Sequence, residues 1–352
     1  PSRLEHDALR IDHAAIGEGE QTFADLLHAL KSRPAAGDGE GLDSRFGSIR
    51  GLWTRGVDRM PQARAPLRNL DEVSSPYLEG ILDAADEQTL FLETVRGCAF
   101  RCKFCYYPKS YDAVYYVSAE KIAANLRHAA ERGAKEIVLL DPTLNQRRDF
   151  DDFLRLLARH NPHHRWTCFG ELRAEGIDAE RARLLRQAGF TEVEVGLQSL
   201  DPRAQELMDR KVNLKAFERG AKAMLDEGLT VRVDLIVGLP GDTPDSVRRS
   251  IEYLHQNKLY TAVQVFNLSV LPGTAFRHEA RQLGLEFQAR PPYYVLQTPT
   301  LSLEQLYELM EEAQEAFELE FDPFPPPELA PHGAPAAATS GSKDGSMETS
   351  RR

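Results

Sequence analysis

Strand-like apolar runs alternate with helix-like segments from about residue 88 onward, and this alternation constrains the fold more than any other feature of the sequence. Runs predicted as strands cover residues 90–94, 136–140, 165–169, 192–196, 230–237 and 262–268. The clearest intervening helix covers residues 119–132, with Ser118 as its N-cap and Gly133 at its end. Strands joined by helices form parallel βα units, so an α/β fold is predicted. Six βα units indicate a partial barrel rather than an open sheet, although the periodicity alone cannot separate the two.

Three of the four cysteines are clustered. Cys98, Cys102 and Cys105 have the spacing CxxxCxxC just after the first predicted strand, and Phe104 precedes the last of them. Three thiolates can bind three irons of a [4Fe–4S] cluster and leave the fourth iron open to a small molecule. A structural zinc site would need a fourth ligand, for which only Cys168 remains. We interpret Cys168 as a buried small hydrophobe in the third strand, with a catalytic thiol as the alternative.

With its aromatic residue, this loop resembles the CxxxCxΦC loop of the radical SAM superfamily. The resemblance covers roughly residues 84–300 and implies a partial (β/α)6 barrel of the TIM type. It also implies S-adenosylmethionine (SAM) as a second cofactor, bound through its amino and carboxylate groups to the open iron. One electron from the cluster then cleaves SAM to methionine and a 5′-deoxyadenosyl radical.

The ends of the second and third strands carry the first candidate SAM contacts, because parallel barrels place their chemistry at the carboxyl ends of strands. After the second strand, Asp141 and Thr143 stand where many family members have GGE, which contacts the methionine amino group. The resemblance therefore implies contact through Asp141 or backbone carbonyls. After the third strand, Glu171 and Arg173 could orient a zwitterion such as SAM, and a salt bridge at the rim is the alternative.

The ends of the fourth and fifth strands supply the other candidates. Gln198 and Ser199 lie in a segment similar to the family's G-x-E/Q-S, whose polar side chain approaches the ribose, and both can hydrogen-bond a hydroxyl. A structural cap is the alternative role. Gly238 and Leu239 belong to a stretch similar to the family's adenine-binding GxIxGxxxE segment, which can also be an ordinary strand-to-helix turn.

The N-terminal stretch predicts a strand at residues 11–16, a GEGE turn and a helix at residues 22–30. It resembles the end of the cobalamin-binding domain that precedes the radical SAM core in one large subfamily; a solitary βα hairpin is the alternative. The chain begins with Pro1, so we expect that some N-terminal sequence, including the cobalamin histidine motif, is missing. The expected division is a remnant of that domain (1–50), a linker (51–83), the core (84–300), a helix (301–321) and a disordered tail (322–352).

The chain has 54 acidic and 43 basic residues and a formal charge of −11, which disfavours nucleic acid as a partner. No apolar run reaches the roughly 20 residues of a membrane helix, and clustered cysteines suit a reducing compartment, so a cytoplasmic protein is expected. The predicted function is a radical SAM enzyme acting on a small organic substrate. Its expected cofactors are a [4Fe–4S] cluster and SAM, with cobalamin if a complete domain precedes, and its expected partner is an electron donor such as flavodoxin or ferredoxin. Modification of a tRNA or peptide and a non-catalytic zinc-binding protein remain the alternatives.

Overall fold

The computed structural model describes residues 11–32, 46–57, 59–107 and 111–321. The strands are β1 His13–Ala15, β2 Leu52–Thr54, β3 Thr89–Leu92, β4 Val95–Arg96, β5 Tyr115–Tyr116, β6 Glu136–Leu139, β7 Thr167–Leu172, β8 Phe190–Gln198, β9 Thr230–Val237, β10 Ala262–Asn267, β11 Glu286–Phe287 and β12 Val295–Gln297. The helices are α1 Glu20–Lys31, α2 Ala119–Arg132, α3 Phe150–His160, α4 Ala179–Ala188, α5 Pro202–Leu207, α6 Leu214–Asp226, α7 Pro244–Asn257, α8 Ala275–Leu283 and α9 Leu303–Phe317. The predicted tail, residues 322–352, lies outside the described residues.

Six strands form one parallel sheet in the order β10-β9-β8-β7-β6-β3, which confirms the predicted (β/α)6 arrangement of a partial barrel. Alternate strand residues such as Val231 and Val233 are fully buried in the main core. Helix α2 has the predicted ends: the Ser118 hydroxyl accepts from the Lys121 N–H, and Gly133 adopts φ +75°. Because the six strands are parallel, their carboxyl ends lie at one edge of the sheet, and the cysteine loop lies at that edge.

Two central strands extend further than the sequence predicted. Strand β7 continues to Leu172 rather than residue 169, and β8 continues to Gln198 rather than residue 196. Gly170 and Glu171 follow the predicted end of β7, and Gly196 stands at the predicted end of β8, so the apolar pattern is interrupted at both points. The short antiparallel pair β4–β5, which flanks the cysteine loop, was not predicted because each strand has only two residues.

The N-terminal unit contains β1, α1 and β2. Strands β1 and β2 pair antiparallel, and Leu26 of α1 packs against Phe46, Ile49 and Leu52 in a small core of its own. A helix that carries one apolar face needs such a partner to be stable in water. No helix in the described part of the chain has both the length and the apolar character needed to cross a membrane.

Candidate functional site

The cysteine loop begins at Gly97, directly after β4. Gly97 adopts φ +96°, and a Cβ there would lie 2.3 Å from the Ala113 carbonyl oxygen, so the turn requires glycine. The Gln146 side chain binds the backbone on both sides of Cys98: its Oε1 accepts from the Ala99 N–H at 2.7 Å, and its Nε2 donates to the Gly97 carbonyl at 3.1 Å. This amide therefore fixes the orientation of Cys98.

Two more distant elements hold the other end of the loop. The Lys103 N–H donates to the Met208 carbonyl at 2.9 Å, just after α5. The Phe276 N–H of α8 donates to the Lys103 carbonyl at 3.1 Å, and the Lys103 Nζ lies 2.7 Å from the Glu279 carboxylate. The loop is thus attached to both halves of the barrel.

Arg96 anchors the start of the loop to the N-terminal unit. Its guanidinium lies 2.8 Å from the carboxylates of Glu18 and Glu20 and 2.7 Å from that of Glu93. The Arg96 and Glu18 side chains are only 9% and 8% exposed. The second Glu18 oxygen accepts from the Leu67 N–H at 2.5 Å. A buried guanidinium with three carboxylate partners keeps its charge, and the hydrogen bonds that Arg96 donates to Glu93 lead the interactions that raise its pKa.

Asp141 has a structural position rather than one on the cavity. Its carboxylate accepts from the Thr94 N–H at 2.7 Å, from the Val95 N–H at 2.9 Å and from the Thr94 hydroxyl. Burial raises its pKa to about 6 although these hydrogen bonds act in the opposite direction. Asp141 therefore braces the turn that leads into β4 and the cysteine loop.

The three loop cysteines line one cavity of about 150 Å³ at the carboxyl ends of the strands. Its walls are formed by Cys98, Phe100, Cys102, Phe104, Cys105, Tyr107, Pro142, Thr143, Glu171, Leu172, Arg173, Glu194, Gly196, Gln198, Arg210 and Asp234. Burial raises the pKa of the Cys98 and Cys105 thiols, so metal binding there must displace protons.

The donor set suits an iron–sulfur cluster better than a single metal ion. No three His, Cys, Asp or Glu side chains within the described residues converge on one ion position. The thiols of Cys98, Cys102 and Cys105 nevertheless face one cavity, as a cluster that binds a separate iron to each thiolate requires. Cys168 is buried near the start of β7, with its Sγ 3.6 Å from the Ala188 carbonyl, and does not line the cavity. This placement disfavours a zinc site made of all four cysteines.

Gln198 points into the cavity because β8 contains an irregularity. The register with β9 shifts between Gly196 and Gln198, and Gln198 adopts φ +69°, which is uncommon for a residue other than glycine. Its side chain is 9% exposed, and its Oε1 has no hydrogen-bond partner within the described residues. A Cβ at Gly196 would lie 2.1 Å from the Gln198 Nε2. A buried, unpartnered amide at a cavity wall is a strong sign of a ligand contact.

Arg210 is a cavity residue that the sequence analysis missed. Its Nη2 donates to the Gly196 carbonyl at 2.5 Å, and its Nη1 lies 3.9 Å from the Cys102 Sγ. Its Nε is buried and has no hydrogen-bond partner among the residues that the structure describes. It follows the short helix α5 with no periodicity or motif that would have identified it.

Three carboxyl groups form another wall: Glu171, Glu194 and Asp234. Burial raises the pKa of Glu171 to about 7, with the Glu194 charge adding to the effect. Burial, followed by the charges of Glu194 and Glu171, raises the pKa of Asp234 to about 9. Arg232 partly compensates Glu194 at 3.7 Å. Polar–apolar alternation over residues 192–195 of β8 and 230–235 of β9 was the sequence signal that could have revealed the last two carboxyls.

The predicted SAM contacts divide into two groups. Those that line the cavity are Thr143, Glu171, Arg173 and Gln198. Those that do not are Asp141, Ser199, Gly238 and Leu239. The Ser199 hydroxyl donates to the Asp242 carboxylate at 3.0 Å, a Cβ at Gly238 would lie 2.4 Å from Val295, and Leu239 is fully buried.

Comparison with known proteins finds a family match for part of the chain. Residues 92–254, which include the cysteine loop and most of the barrel, match the family model of the radical SAM superfamily. This part of the chain is similar to radical SAM enzymes. Enzymes of this superfamily use a [4Fe–4S] cluster and SAM and need a reductant, and the cysteine-lined cavity has ligands suited to such a cluster.

Several proteins similar to this chain are methyltransferases by name. An uncharacterized methyltransferase of Pyrococcus horikoshii is 28% identical over 69% of this chain and 52% of its own length. The 2-(S-pantetheinyl)-carbapenam-3-carboxylate methyltransferase of Streptantibioticus cattleyicolor is 24% identical over 82% of this chain and 44% of its own. The fold is similar to that of TsrM from Kitasatospora setae, a radical SAM methyltransferase solved with cobalamin and a [4Fe–4S] cluster, with a TM-score of 0.62 and 18% identity over 84% of this chain and 60% of that one. The chain spans about half the length of the curated relatives that it matches.

Proposed function

We propose that Cys98, Cys102 and Cys105 hold a [4Fe–4S] cluster and that SAM binds beside it. The observation that carries this proposal is one cavity lined by three cysteines, Gln198 and Arg210. The Gln198 Oε1 and the Arg210 Nε have no hydrogen-bond partner in the described part of the chain. When both groups are bound, the reduced cluster and SAM supply a 5′-deoxyadenosyl radical, which abstracts hydrogen from a small organic substrate. The protein's own residues bind, orient and shield these groups.

The charges of the cavity suit SAM, which combines a sulfonium cation with an amino acid zwitterion. The Arg210 guanidinium would bind the SAM carboxylate. The carboxyl groups of Glu171, Glu194 and Asp234 would face the sulfonium and the ammonium, and cation binding would favour their ionised forms. The Gln198 amide would bind the ribose hydroxyls.

Aromatic and aliphatic residues would keep water away from the reacting groups. Phe100 and Phe104 lie within the cysteine loop, and Leu172 follows Glu171 at the end of β7. Exclusion of water strengthens every electrostatic contact in the cavity and protects a reactive radical from side reactions.

Methyl transfer to a small molecule is the outcome that we favour. Its support is the methyltransferase names of the relatives and the resemblance of the N-terminal strand, GEGE turn and helix to the end of a cobalamin-binding domain. Cobalamin would then be held mainly by sequence that precedes the N-terminal unit. The predicted division into a core of residues 84–300 and a preceding linker of residues 51–83 belongs to the same proposal.

Anaerobic reconstitution with iron and sulfide, followed by reductant and SAM, tests the proposal through the release of 5′-deoxyadenosine. We expect product from the wild-type chain and from Cys168→Ala, whose thiol lies outside the cavity. The triple variant with alanine at Cys98, Cys102 and Cys105 should bind no cluster and release no product. Product from the triple variant would refute the assignment of the cluster ligands.

A further inference from the structure

A groove of about 830 Å³ lies beside the cluster cavity and carries positive charge. Lys211 and Lys215 line it, both are exposed, and neither forms an ion pair within the described residues. The chain as a whole has a formal charge of −11, so the positive charge of this groove is opposite in sign to the net charge of the protein.

The groove adjoins the cluster ligands directly. It shares Phe100, Thr143 and Arg173 with the cavity, and Phe100 lies between Cys98 and Cys102 in the loop. The Arg173 guanidinium carbon lies 4.4 Å from the centre of the Phe100 ring. A partner seated in the groove would therefore contact Phe100, a residue of the loop that carries the three cysteines.

The charges suit a protein surface better than a small ligand. Arg173 is already engaged by the Glu175 carboxylate at 2.6 Å and donates to the Lys211 carbonyl at 2.9 Å. The two lysines are the remaining positive groups, and they lie at the surface instead of converging in a buried pocket as small-molecule sites require. Exposed charges of this kind steer an oppositely charged protein and set its rate of association.

We propose that this groove is the docking surface for a small acidic one-electron carrier protein of the flavodoxin or ferredoxin class. The inference rests on the proposed function, because the groove matters only if a cluster occupies the adjoining cavity. The carrier loses one electron, as flavin hydroquinone becomes semiquinone or a reduced ferredoxin centre becomes oxidised, and the cluster gains that electron. Electron-transfer contacts are typically small and transient, which suits a groove with a few exposed charges.

The test compares Lys211→Glu/Lys215→Glu with Lys222→Glu in the reconstituted chain. Lys222 lies on the same helix as Lys215, is equally exposed and does not line the groove. Binding of an oxidised flavodoxin and an oxidised bacterial ferredoxin is measured by calorimetry at low and high salt. Cluster reduction by each reduced carrier is followed by stopped-flow absorbance, and photoreduced deazaflavin serves as a small uncharged reductant.

We expect the double reversal to weaken binding of at least one carrier about tenfold or more at low salt and to slow its reduction of the cluster similarly, with the difference shrinking at high salt. Lys222→Glu should stay within about twofold of wild type by the same electrostatic reasoning. Unchanged binding in the double variant, an equal loss in Lys222→Glu, or no binding of either carrier to the wild-type chain would each overturn the inference. Failure of deazaflavin to reduce any cluster in the wild-type chain would instead count against the proposed function.

Discussion

The Glu18–Arg96 ion pair joins the N-terminal unit to the residue two positions before Cys98, and its removal tests how the cysteine loop is held. The two side chains are 8% and 9% exposed and lie 2.8 Å apart. Removal of one partner of a buried pair usually costs about 3–5 kcal/mol, because the other charge stays buried. Glu20 and Glu93 remain as partners of Arg96, so we expect Glu18→Ala to lower the free energy of unfolding by about 2 kcal/mol, below that range.

The Lys103–Glu279 pair is a matched control on the same loop. Its atoms are 2.7 Å apart, but the side chains are 29% and 35% exposed. Exposed pairs contribute about 0.2–1 kcal/mol, because water screens the charges and both side chains lose freedom. The distance between the charged atoms is thus nearly the same in the two ion pairs, whereas the exposure of their side chains differs.

Urea denaturation of a double-mutant cycle on each pair measures the two coupling energies. The cycles use Glu18→Ala with Arg96→Met, which keeps an apolar stem, and Lys103→Met with Glu279→Ala. We expect the coupling energy of Glu18 and Arg96 to exceed that of the control pair by about 1 kcal/mol or more. Equal coupling energies, or a larger value for the exposed pair, would refute the claim that burial makes Arg96 the main anchor of the loop.

Three further outcomes are expected. Gln146→Ala removes both hydrogen bonds beside Cys98, so unfolding free energy should fall by about 1–2 kcal/mol and iron bound per chain should drop after reconstitution; unchanged iron content would contradict the positioning role. Arg210→Met should raise the SAM dissociation constant about tenfold or more in equilibrium dialysis, because a charge-assisted contact to the carboxylate is lost; equal affinity would exclude that contact. Burial raises the pKa of Asp242 to about 6, so the stability linked to this carboxyl is present below pH 4 and is lost as pH rises through 6. The difference in unfolding free energy between Asp242→Asn and wild type should therefore shift in favour of the variant by about 3 kcal/mol between pH 4 and 7, as measured by urea denaturation. A difference that does not change with pH would refute the raised pKa of Asp242.

Local sequence pattern was enough to predict the βα units and the cysteine loop, whereas the choice of a barrel over an open sheet came from the resemblance to the radical SAM superfamily. Each βα unit is marked by an apolar run for its strand and by residues that begin and end its helix, such as Ser118 and Gly133. The cysteine spacing is also local, so its position after the first strand followed directly. Strand ends were less accurate, because small or polar residues, Gly170 and Glu171 in β7 and Gly196 in β8, interrupt the apolar signal that marks a strand.

The sequence pattern did not predict which residues at the strand ends face the cavity, because this depends on a local irregularity of the backbone in β8. The sequence put Gln198 and Ser199 together as candidate ligand contacts. The register shift between Gly196 and Gln198 turns the Gln198 amide into the cavity, while the Ser199 hydroxyl binds the Asp242 carboxylate instead. In a regular strand neighbouring side chains alternate between faces, and one irregularity changes which of them is available to a ligand.

The residues that fix the cysteine loop were missed for a different reason: their partners are distant in sequence. Arg96 and Glu18 are 78 residues apart, Gln146 and Ala99 are 47 apart, and Lys103 and Glu279 are 176 apart. Closing loops of this length costs chain entropy, which the contacts of the folded barrel offset. The loop that supplies the thiolates is therefore local in sequence, whereas its orientation is a property of the whole fold. Variants at these distant partners should change cluster binding without touching a cysteine, and this distinguishes a loop that is positioned by the barrel from one that is ordered only by its metal.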